Sequence, residues 1–245
     1  MTASIIRPGQ VFADASDFDP GIRTLLPQYD DMLDAIVRCL PSNISHVLDL
    51  GCGTGELTLK ILQAYPTAHV TAVDYAASML AKAQAKIAAQ GFAEQATWIE
   101  LDFGQWAEHP TALNLTQPLD VCVSSLAIHH LTDAMKLKLF SRIREQLSPQ
   151  GCFWNADPVL PQDDRVRAIY QLARDAWAEE QGTTLAAVRA KTGTSQAHGH
   201  SSQDQLAPLM DQLAMLGQAG FAVVDVVWKY YGLAVFGGYT ELNAA

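Results

Sequence analysis

The stretch Val47-Leu48-Asp49-Leu50-Gly51-Cys52-Gly53-Thr54-Gly55-Glu56 decides the fold of this chain. Its first four residues are short, β-prone and almost wholly apolar, as expected of a parallel strand that is buried on both faces. Three glycines follow within five residues, and glycine lets the backbone turn sharply and touch a ligand directly. Apolar residues then recur at near-helical spacing from Leu57 to Leu62. The pattern predicts a strand, a tight turn and a helix whose N-terminus points free N–H groups at a ligand.

A second acidic marker closes the next apolar run. Asp74 ends the strand-like segment His69-Val70-Thr71-Ala72-Val73-Asp74, where a carboxylate is placed to accept hydrogen bonds from a ribose diol. The dinucleotide fingerprint G-x-G-x-x-G would need a third glycine at position 56, but that residue is Glu56. The pattern therefore counts against NAD or FAD and indicates another nucleotide-type cofactor.

D-L-G-C-G-T-G-E followed by V-D-Y resembles motif I and the acidic loop of the class I S-adenosylmethionine-dependent methyltransferases. The resemblance extends over residues 40–157 and 203–240. It implies S-adenosylmethionine as cofactor, S-adenosylhomocysteine as product, and transfer of the methyl group to a small-molecule acceptor by in-line displacement. Holding nucleophile, methyl and sulfur collinear supplies most of such catalysis, so the site can lack a conspicuous catalytic motif.

The resemblance also implies a set of residues around the cofactor. Its glycine loop would lie under the methionine part, with Cys52 as a small residue that fits there. Asp49 would orient the loop or meet the cofactor's ammonium through water, and Asp74 would hold the ribose. The full set of expected cofactor-binding residues is Asp49, Gly51, Cys52, Gly53, Gly55, Asp74, Tyr75, Met79, Asp102, Phe103, Ser124, Arg23 and Tyr29.

The members outside the loop would hold the other parts of the cofactor. Tyr75 and Met79 lie where the family packs the adenine or ribose face, and Asp102-Phe103 looks like the adenine-reading pair. Ser124 has the position whose backbone carbonyl usually accepts from the cofactor ammonium. Arg23 and Tyr29 would fold over the cofactor carboxylate. Ordinary core or surface packing is the alternative for Phe103, Met79, Arg23 and Tyr29.

The acceptor side is expected at Ser124-Ser125-Leu126-Ala127-Ile128-His129-His130-Leu131, which matches the motif after strand four in many small-molecule methyltransferases. His129 is the candidate catalytic residue, as a base or an orienting group, because an imidazole titrates near neutrality. A histidine bonded to backbone at the turn is the alternative. We expect no metal, because no third ligand lies near the adjacent histidines in the sequence, and we expect His198-Gly199-His200 to be solvated.

The composition limits the classes of molecule that the protein is expected to bind. The formal net charge is −10, with 16 Lys plus Arg against 26 Asp plus Glu, and this field would repel nucleic acid. The four cysteines form no C-x-x-C pair, which favours reduced thiols in a cytoplasmic protein. No apolar run approaches the ~18 residues that span a bilayer, and no secretory leader is evident. A small-molecule substrate is the expected partner, and a homodimer is left open.

Strand-like and helix-like segments alternate from residue 47 to residue 157. This alternation predicts an α/β, Rossmann-like, doubly wound sheet, and the resemblance extends it to seven strands, mostly parallel with one antiparallel strand. We divide the chain into an N-terminal lid and helix at 1–40 and a methyltransferase domain at 41–245. A helical insertion after strand five, at about 159–202, would lie over the active-site face.

Smaller expectations concern the boundaries. Residues 1–20 read as loop, 161–181 and 185–191 as helices, and Ser202 with Gln205 as a capping box that starts a helix. Two other functions stay open. The segment from Phe18 to Asp30 also resembles the carboxy-S-adenosylmethionine synthases, which convert the cofactor, and a non-catalytic cofactor-binding subunit would share the same binding residues.

Overall fold

A single seven-stranded sheet organises the protein. The computed structural model describes residues 18–187 and 204–242. The strands are β1 His46–Leu50, β2 His69–Asp74, β3 Ala96–Glu100, β4 Leu119–Ser125, β5 Leu147–Pro158, β6 Val223–Tyr230 and β7 Leu233–Tyr239, in the spatial order β3-β2-β1-β4-β5-β7-β6. Strands β1 to β5 pair in parallel, and β7 is antiparallel to both β5 and β6. The predicted doubly wound, mostly parallel sheet with one antiparallel strand is confirmed.

Helices cover both faces of this sheet. They are α1 Phe18–Leu25, α2 Tyr29–Arg38, α3 Glu56–Ala64, α4 Ala77–Ala89, α5 Phe103–Glu108, α6 Asp133–Gln146, α7 Asp164–Glu180 and α8 Leu209–Gln218. On one face of the sheet, a core cluster packs helices α1, α2, α3, α4 and α7 against the strands. On the other face, a second cluster packs helices α5, α6 and α8. Among the described helices, none is long and apolar enough to cross a membrane.

The apolar runs of the sequence follow from this two-sided burial. Val47 belongs to the first cluster and Leu48 to the second, because successive strand residues point to opposite faces. The same alternation divides Val121 from Cys122 and gives both faces fully buried side chains. A strand covered on both sides has no solvent face that would need polar residues.

Helix α1 begins inside the stretch that the sequence predicted as loop. Pro20 lies in its first turn, where proline is tolerated because the first N–H groups have no intrahelical partner. Asp19 in the same turn favours the positive end of the helix dipole. The prediction of loop through residue 20 is therefore wrong from Phe18 onward.

Helix α8 starts later than its predicted capping box. Residues 204–207 are not helical, and Pro208 stands immediately before the first helical residue, Leu209. Gln205 does not act as a helix cap, because it lies outside the helix, and its backbone N–H donates to the carbonyl of His129 at 2.7 Å. The same segment also bonds Leu160, whose backbone N–H donates to the Ala207 carbonyl at 3.0 Å. Residues 204–208 thus lie along the exit of β5.

The block after β5 packs on the N-terminal helices. Helix α7 confirms the predicted helix at 161–181, and the indole N–H of Trp177 donates to the carbonyl of Thr24 at 3.0 Å. Residues 185–187 are helical, and the remainder of the second predicted helix lies outside the described residues, as does His198-Gly199-His200. The division at residue 40 and the insertion boundaries stay predictions.

Two glycines provide a matched test of the packing. A Cβ at Gly237 in β7 would overlap the backbone carbonyl of Phe153 in β5, whereas a Cβ at Gly217 in α8 meets no described atom within 4 Å. We expect Gly237→Ala to lower the free energy of unfolding by at least about 2 kcal/mol. Gly217→Ala should raise it by about 0.5–1 kcal/mol, since alanine loses less entropy in a helix. Urea unfolding measures both, and equal effects would contradict the packing described for β5 and β7.

Candidate active site

The polar residues selected from the sequence lie at one edge of the sheet. Parallel strands place their carboxyl ends together, and the register sets Leu50 of β1 beside Val73 of β2 and Ser124 of β4. In the same way Ser125 of β4 lies beside Ala156 of β5. The loops that follow these strands therefore form a continuous site.

The three loop glycines have different roles. Gly51, Gly53 and Gly55 have φ values of 72°, 52° and 80°, a region that disfavours side chains. A Cβ at Gly51 would overlap Ala127, and one at Gly55 would lie 3.0 Å from the Cβ of Ala83. A Cβ added at Gly53 would meet no described atom within 4 Å. The loop thus packs on the protein through its outer glycines and presents Gly53 to open space.

Asp74 fixes this loop from the neighbouring strand. Its carboxylate accepts the backbone N–H of Gly53 at 2.9 Å and that of Ala76 at 2.9 Å. The N–H groups of Gly51 and Cys52 also donate to the Val73 carbonyl, at 2.8 and 3.0 Å. Burial raises the pKa of Asp74, and the backbone hydrogen bonds partly offset this. The end of β2 therefore determines the position of the loop after β1.

Asp49 is a buried acid with one unused oxygen. Thr58 donates its hydroxyl to Oδ2 at 2.6 Å, whereas Oδ1 has no hydrogen-bond partner among the described residues. Burial raises the pKa of Asp49 to about 7; the Thr58 hydrogen bond opposes this, and Asp74 adds to it. A fully buried, unpaired acceptor is rare and calls for a donor or a cation.

Helix α1 is tied to the glycine loop by a network of charges. Asp19 accepts from the Thr54 hydroxyl at 2.5 Å and from Lys86 Nζ at 2.7 Å. Lys86 also pairs with Glu56, the first residue of α3, and Arg23 reaches the same carboxylate at 2.6 Å. Five groups from four segments thus hold the N-terminal helix over the loop.

Arg23 and Tyr29 lie together beside the glycine loop, and their expected role at the cofactor stays a prediction. The Arg23 guanidinium is 5.3 Å from the centre of the Tyr29 ring and bonds Asp30 at 3.0 Å as well as Glu56. The Asp30 hydrogen bond raises the pKa of Arg23 against the effect of burial. For the Tyr29 hydroxyl, in contrast, burial is the main cause of a raised pKa, because it disfavours the charged phenolate. The guanidinium is therefore bound to carboxylates of this chain.

The remaining expected cofactor residues come from the ends of β2, β3 and β4 and from α4. Asp102 caps α5 by accepting the N–H of Gly104 at 2.8 Å. Phe103 is buried, and its ring lies 3.3 Å from the position that a Cβ at Gly51 would take. Met79 is buried in α4. Ser124 is buried and donates its hydroxyl to the Leu50 carbonyl at 2.7 Å, which joins β4 to β1. Tyr75 follows Asp74 directly and is half-buried.

His129 belongs to a buried polar cluster beside this site. Its Nδ1 lies 2.7 Å from an Asp157 carboxylate oxygen, and the other oxygen of Asp157 accepts from the Asn155 amide at 2.9 Å. Burial disfavours protonation of His129, but Asp157 and Asp204 outweigh burial and raise its pKa. Ala127, two residues earlier, touches Gly51, so the cluster adjoins the glycine loop.

A third carboxylate joins the cluster from a distant part of the chain. An Asp204 oxygen lies 3.7 Å from His129 Nε2 and 3.4 Å from His130 Nδ1. Burial and the neighbouring His129 lower the pKa of His130. Lys136 is fully buried nearby, and its ammonium contacts Asp133 and the Gln205 carbonyl.

Sequence reasoning missed Asp204, because no local pattern links it to histidines 74 residues earlier in the chain. The ground for expecting no metal, the lack of a third ligand near the histidines, is therefore wrong in the folded chain. Asp157 did carry a signal, since it is an acid at the end of a predicted strand. Lys136 gave none, because a lysine on a helix ordinarily faces solvent.

Comparison with known proteins agrees with this arrangement. A family model described as a methyltransferase domain matches residues 47–151. An uncharacterized methyltransferase of Bacillus subtilis is 32% identical over 164 residues, which cover 63% of this chain and 70% of that protein. A trans-aconitate 2-methyltransferase of Yersinia pseudotuberculosis is 29% identical over 161 residues, covering 66% of this chain and 55% of that protein. The chain thus spans just over half of the length of the latter relative.

A solved structure gives the same result for the fold. The structure titled PigF with SAH has a TM-score of 0.61, with 17% identity over 95% of this chain and 59% of that chain. At that identity the likeness concerns the fold alone. The family model, the Bacillus relative, the strand order and the glycine loop between Asp49 and Asp74 agree, and the chain belongs to the class I S-adenosylmethionine-dependent methyltransferases.

Proposed function

We propose that this chain binds S-adenosylmethionine at the glycine loop and transfers the methyl group to a small-molecule acceptor. The observation that carries the proposal is the open backbone of Gly53 between two buried acids, Asp74 and Asp49. S-Adenosylmethionine supplies a methyl group on a sulfonium, which a nucleophile displaces in line. The residues present fit this cofactor, because it carries an ammonium and a ribose diol, both donors that carboxylates accept.

Each acid has a separate task in this proposal. The unpaired Oδ1 of Asp49 faces the cofactor's ammonium, directly or through water. The Asp74 carboxylate holds the loop by accepting backbone N–H groups, and it offers its remaining lone pairs to the ribose. Phe103 and Met79 supply apolar surface for the adenine, with Asp102 and Tyr75 beside them. Arg23 and Tyr29, in the proposed N-terminal lid, are assigned to the cofactor carboxylate, for which Arg23 would exchange an ion pair with Asp30 or Glu56.

The acceptor is assigned to the side of the His129 cluster. Because Nδ1 faces Asp157, its proton is donated there, and Nε2 is the nitrogen left to meet the acceptor as a base or an orienting group. Asp157 is a positioning residue, since it fixes the tautomer and orientation of the ring. Residues 204–208, which follow the proposed insertion at 159–202, border this side through the bond from the Gln205 N–H to the His129 carbonyl.

The acidic balance of the chain supports a small acceptor rather than a nucleic acid. With a formal net charge of −10, the field of the protein opposes approach of a polyanion. The four cysteines are free thiols, which supports a reducing, cytoplasmic location. Trans-aconitate, named for one relative, has the size expected of such an acceptor.

Two carboxylates that hold backbone N–H groups give a matched pair of variants. Asp74 holds the loop at the site, and Asp120 accepts the N–H groups of Ser45 and His46, at 2.7 and 3.0 Å, at the opposite edge of the sheet. We expect Asp74→Ala to weaken S-adenosylhomocysteine binding at least about 30-fold, because a buried charged acceptor is lost. Asp120→Ala should lower the melting temperature and leave affinity unchanged. Calorimetry checks both, and unchanged affinity in Asp74→Ala would refute the site.

Proton release tests the role of Asp49. With a pKa of about 7, its carboxyl is mostly protonated at pH 6, and an adjacent ammonium would favour the charged form. Binding of S-adenosylhomocysteine should therefore release about one proton per chain at pH 6 and almost none at pH 8.5. Calorimetry in two buffers of different ionisation enthalpy measures this release. Asp49→Asn should abolish it, and equal release by both proteins would contradict the assignment.

The activity itself is tested with labelled cofactor. Purified protein is incubated with methyl-labelled S-adenosylmethionine and a panel of hydroxylated, carboxylated and amine-bearing small molecules. We expect label in one class of product, with loss of activity in His129→Ala and unchanged S-adenosylhomocysteine affinity. Mass spectrometry of the cofactor that co-purifies provides the counter-test. A carboxylated cofactor would support the synthase alternative, and failure over the whole panel would support a non-catalytic subunit.

A further inference from the structure

The cluster around His129 contains more polar groups than a proton acceptor requires. Two imidazoles and two carboxylates meet at the carboxyl ends of β4 and β5, and all are buried or half-buried. Asp157 bonds the Nδ1 side of His129, and Asp204 faces its Nε2 side at 3.7 Å. That separation is longer than a hydrogen bond, so the two atoms are neighbours without being bonded.

We propose that His129 Nε2, His130 Nδ1 and an Asp204 oxygen bind a divalent transition cation of the zinc class. The three atoms lie within 4.8 Å of one another, and the two distances from Asp204 are 3.4 and 3.7 Å. Bonds of ~2.0–2.1 Å in a tetrahedral zinc site place neighbouring ligand atoms about 3.4 Å apart. The donor atoms are therefore close to a ligand arrangement before any ion binds.

The hydrogen bonds around the two imidazoles suit a metal. Asp157 receives the Nδ1 proton of His129, which leaves the lone pair on Nε2, and Asn155 in turn fixes Asp157. A carboxylate behind a ligating histidine is the usual outer-shell partner in metal sites. Nδ1 of His130 makes no hydrogen bond of good geometry with any described residue, so this nitrogen faces the cluster without a bonded partner.

A dication would also compensate the negative charge of the carboxylates around the two imidazoles. Two carboxylates, Asp157 and Asp204, face the imidazoles. Lys136 is a buried cation near them, but its ammonium is bonded to Asp133 and the Gln205 carbonyl. Two imidazoles and one carboxylate match the ligand preference of zinc and its neighbours rather than that of magnesium or calcium.

Three protein ligands leave a coordination position open, which is the arrangement of catalytic rather than structural zinc sites. An acceptor oxygen could occupy that position and lose its proton more readily there. This role of the cation rests on the proposed methyl transfer, whereas the cation site itself does not. His129 would then orient the acceptor through the ion.

Calorimetric titration of the chelator-treated full chain with ZnCl2 tests the proposal. We expect one ion per chain, an affinity reduced at least about 100-fold in His130→Ala and Asp204→Asn, and a reduction of about 10–100-fold in Asp157→Asn, whose residue is outside the ligand set. His198→Ala/His200→Ala is the matched control, because it removes the other histidine pair of the chain. Melting curves show that each variant is folded.

The outcomes separate this proposal from the methyltransferase assignment. Zinc binding that survives in His130→Ala and Asp204→Asn but is lost in His198→Ala/His200→Ala would overturn the site. Absence of zinc binding by the wild-type chain would also overturn it. S-Adenosylhomocysteine affinity, measured on the same samples, reports on the proposed function independently, since the glycine loop lies outside the ligand set. Intact cofactor binding without zinc binding refutes the cation site alone.

Discussion

The site depends on one carboxylate that holds the backbone of a neighbouring loop. Asp74, at the end of β2, accepts the N–H groups of Gly53 and Ala76, and so binds the loop after β1 to the start of the next loop. Gly51, Gly53 and Gly55 have positive φ, and the N–H groups of Gly51 and Gly53 find their partners at the end of β2 rather than within the loop. The burial that raises the pKa of Asp74 excludes water, which strengthens these bonds.

Other parts of the chain then assemble on this edge of the sheet. Helix α1 is held over the loop by Asp19 and Arg23, which reach Thr54, Lys86 and Glu56. From the other side, residues 204–208 pass the exit of β5 and bond the backbone of His129. The proposed cofactor side and the proposed acceptor side thus adjoin where Ala127 packs against Gly51. Methyl transfer needs the two sides to be close, because the reacting atoms must be held in line.

Much of this arrangement was predictable because its determinants are local. The strand, glycine turn and helix around Asp49 follow from one continuous stretch, residues 46–64, and the end of the next predicted strand identified Asp74 in advance. The start of α8 was not predictable, because Gln205 bonds a carbonyl 76 residues away rather than its own helix. Asp204 was missed for the same reason, since only the folded chain brings it to His129. Arg23 was identified, but its partners Asp30 and Glu56 depend on how α1 meets α3.

The central claim is that the edge formed by Asp49, Gly53 and Asp74 holds S-adenosylmethionine. A crystal structure of the chain with S-adenosylhomocysteine tests it most directly. The account predicts the ribose hydroxyls at Asp74, the ammonium within hydrogen-bond reach of Asp49 or one water away, and the sulfur facing His129. Density for the ligand at another surface, or a glycine loop filled by the protein's own side chains, would contradict it.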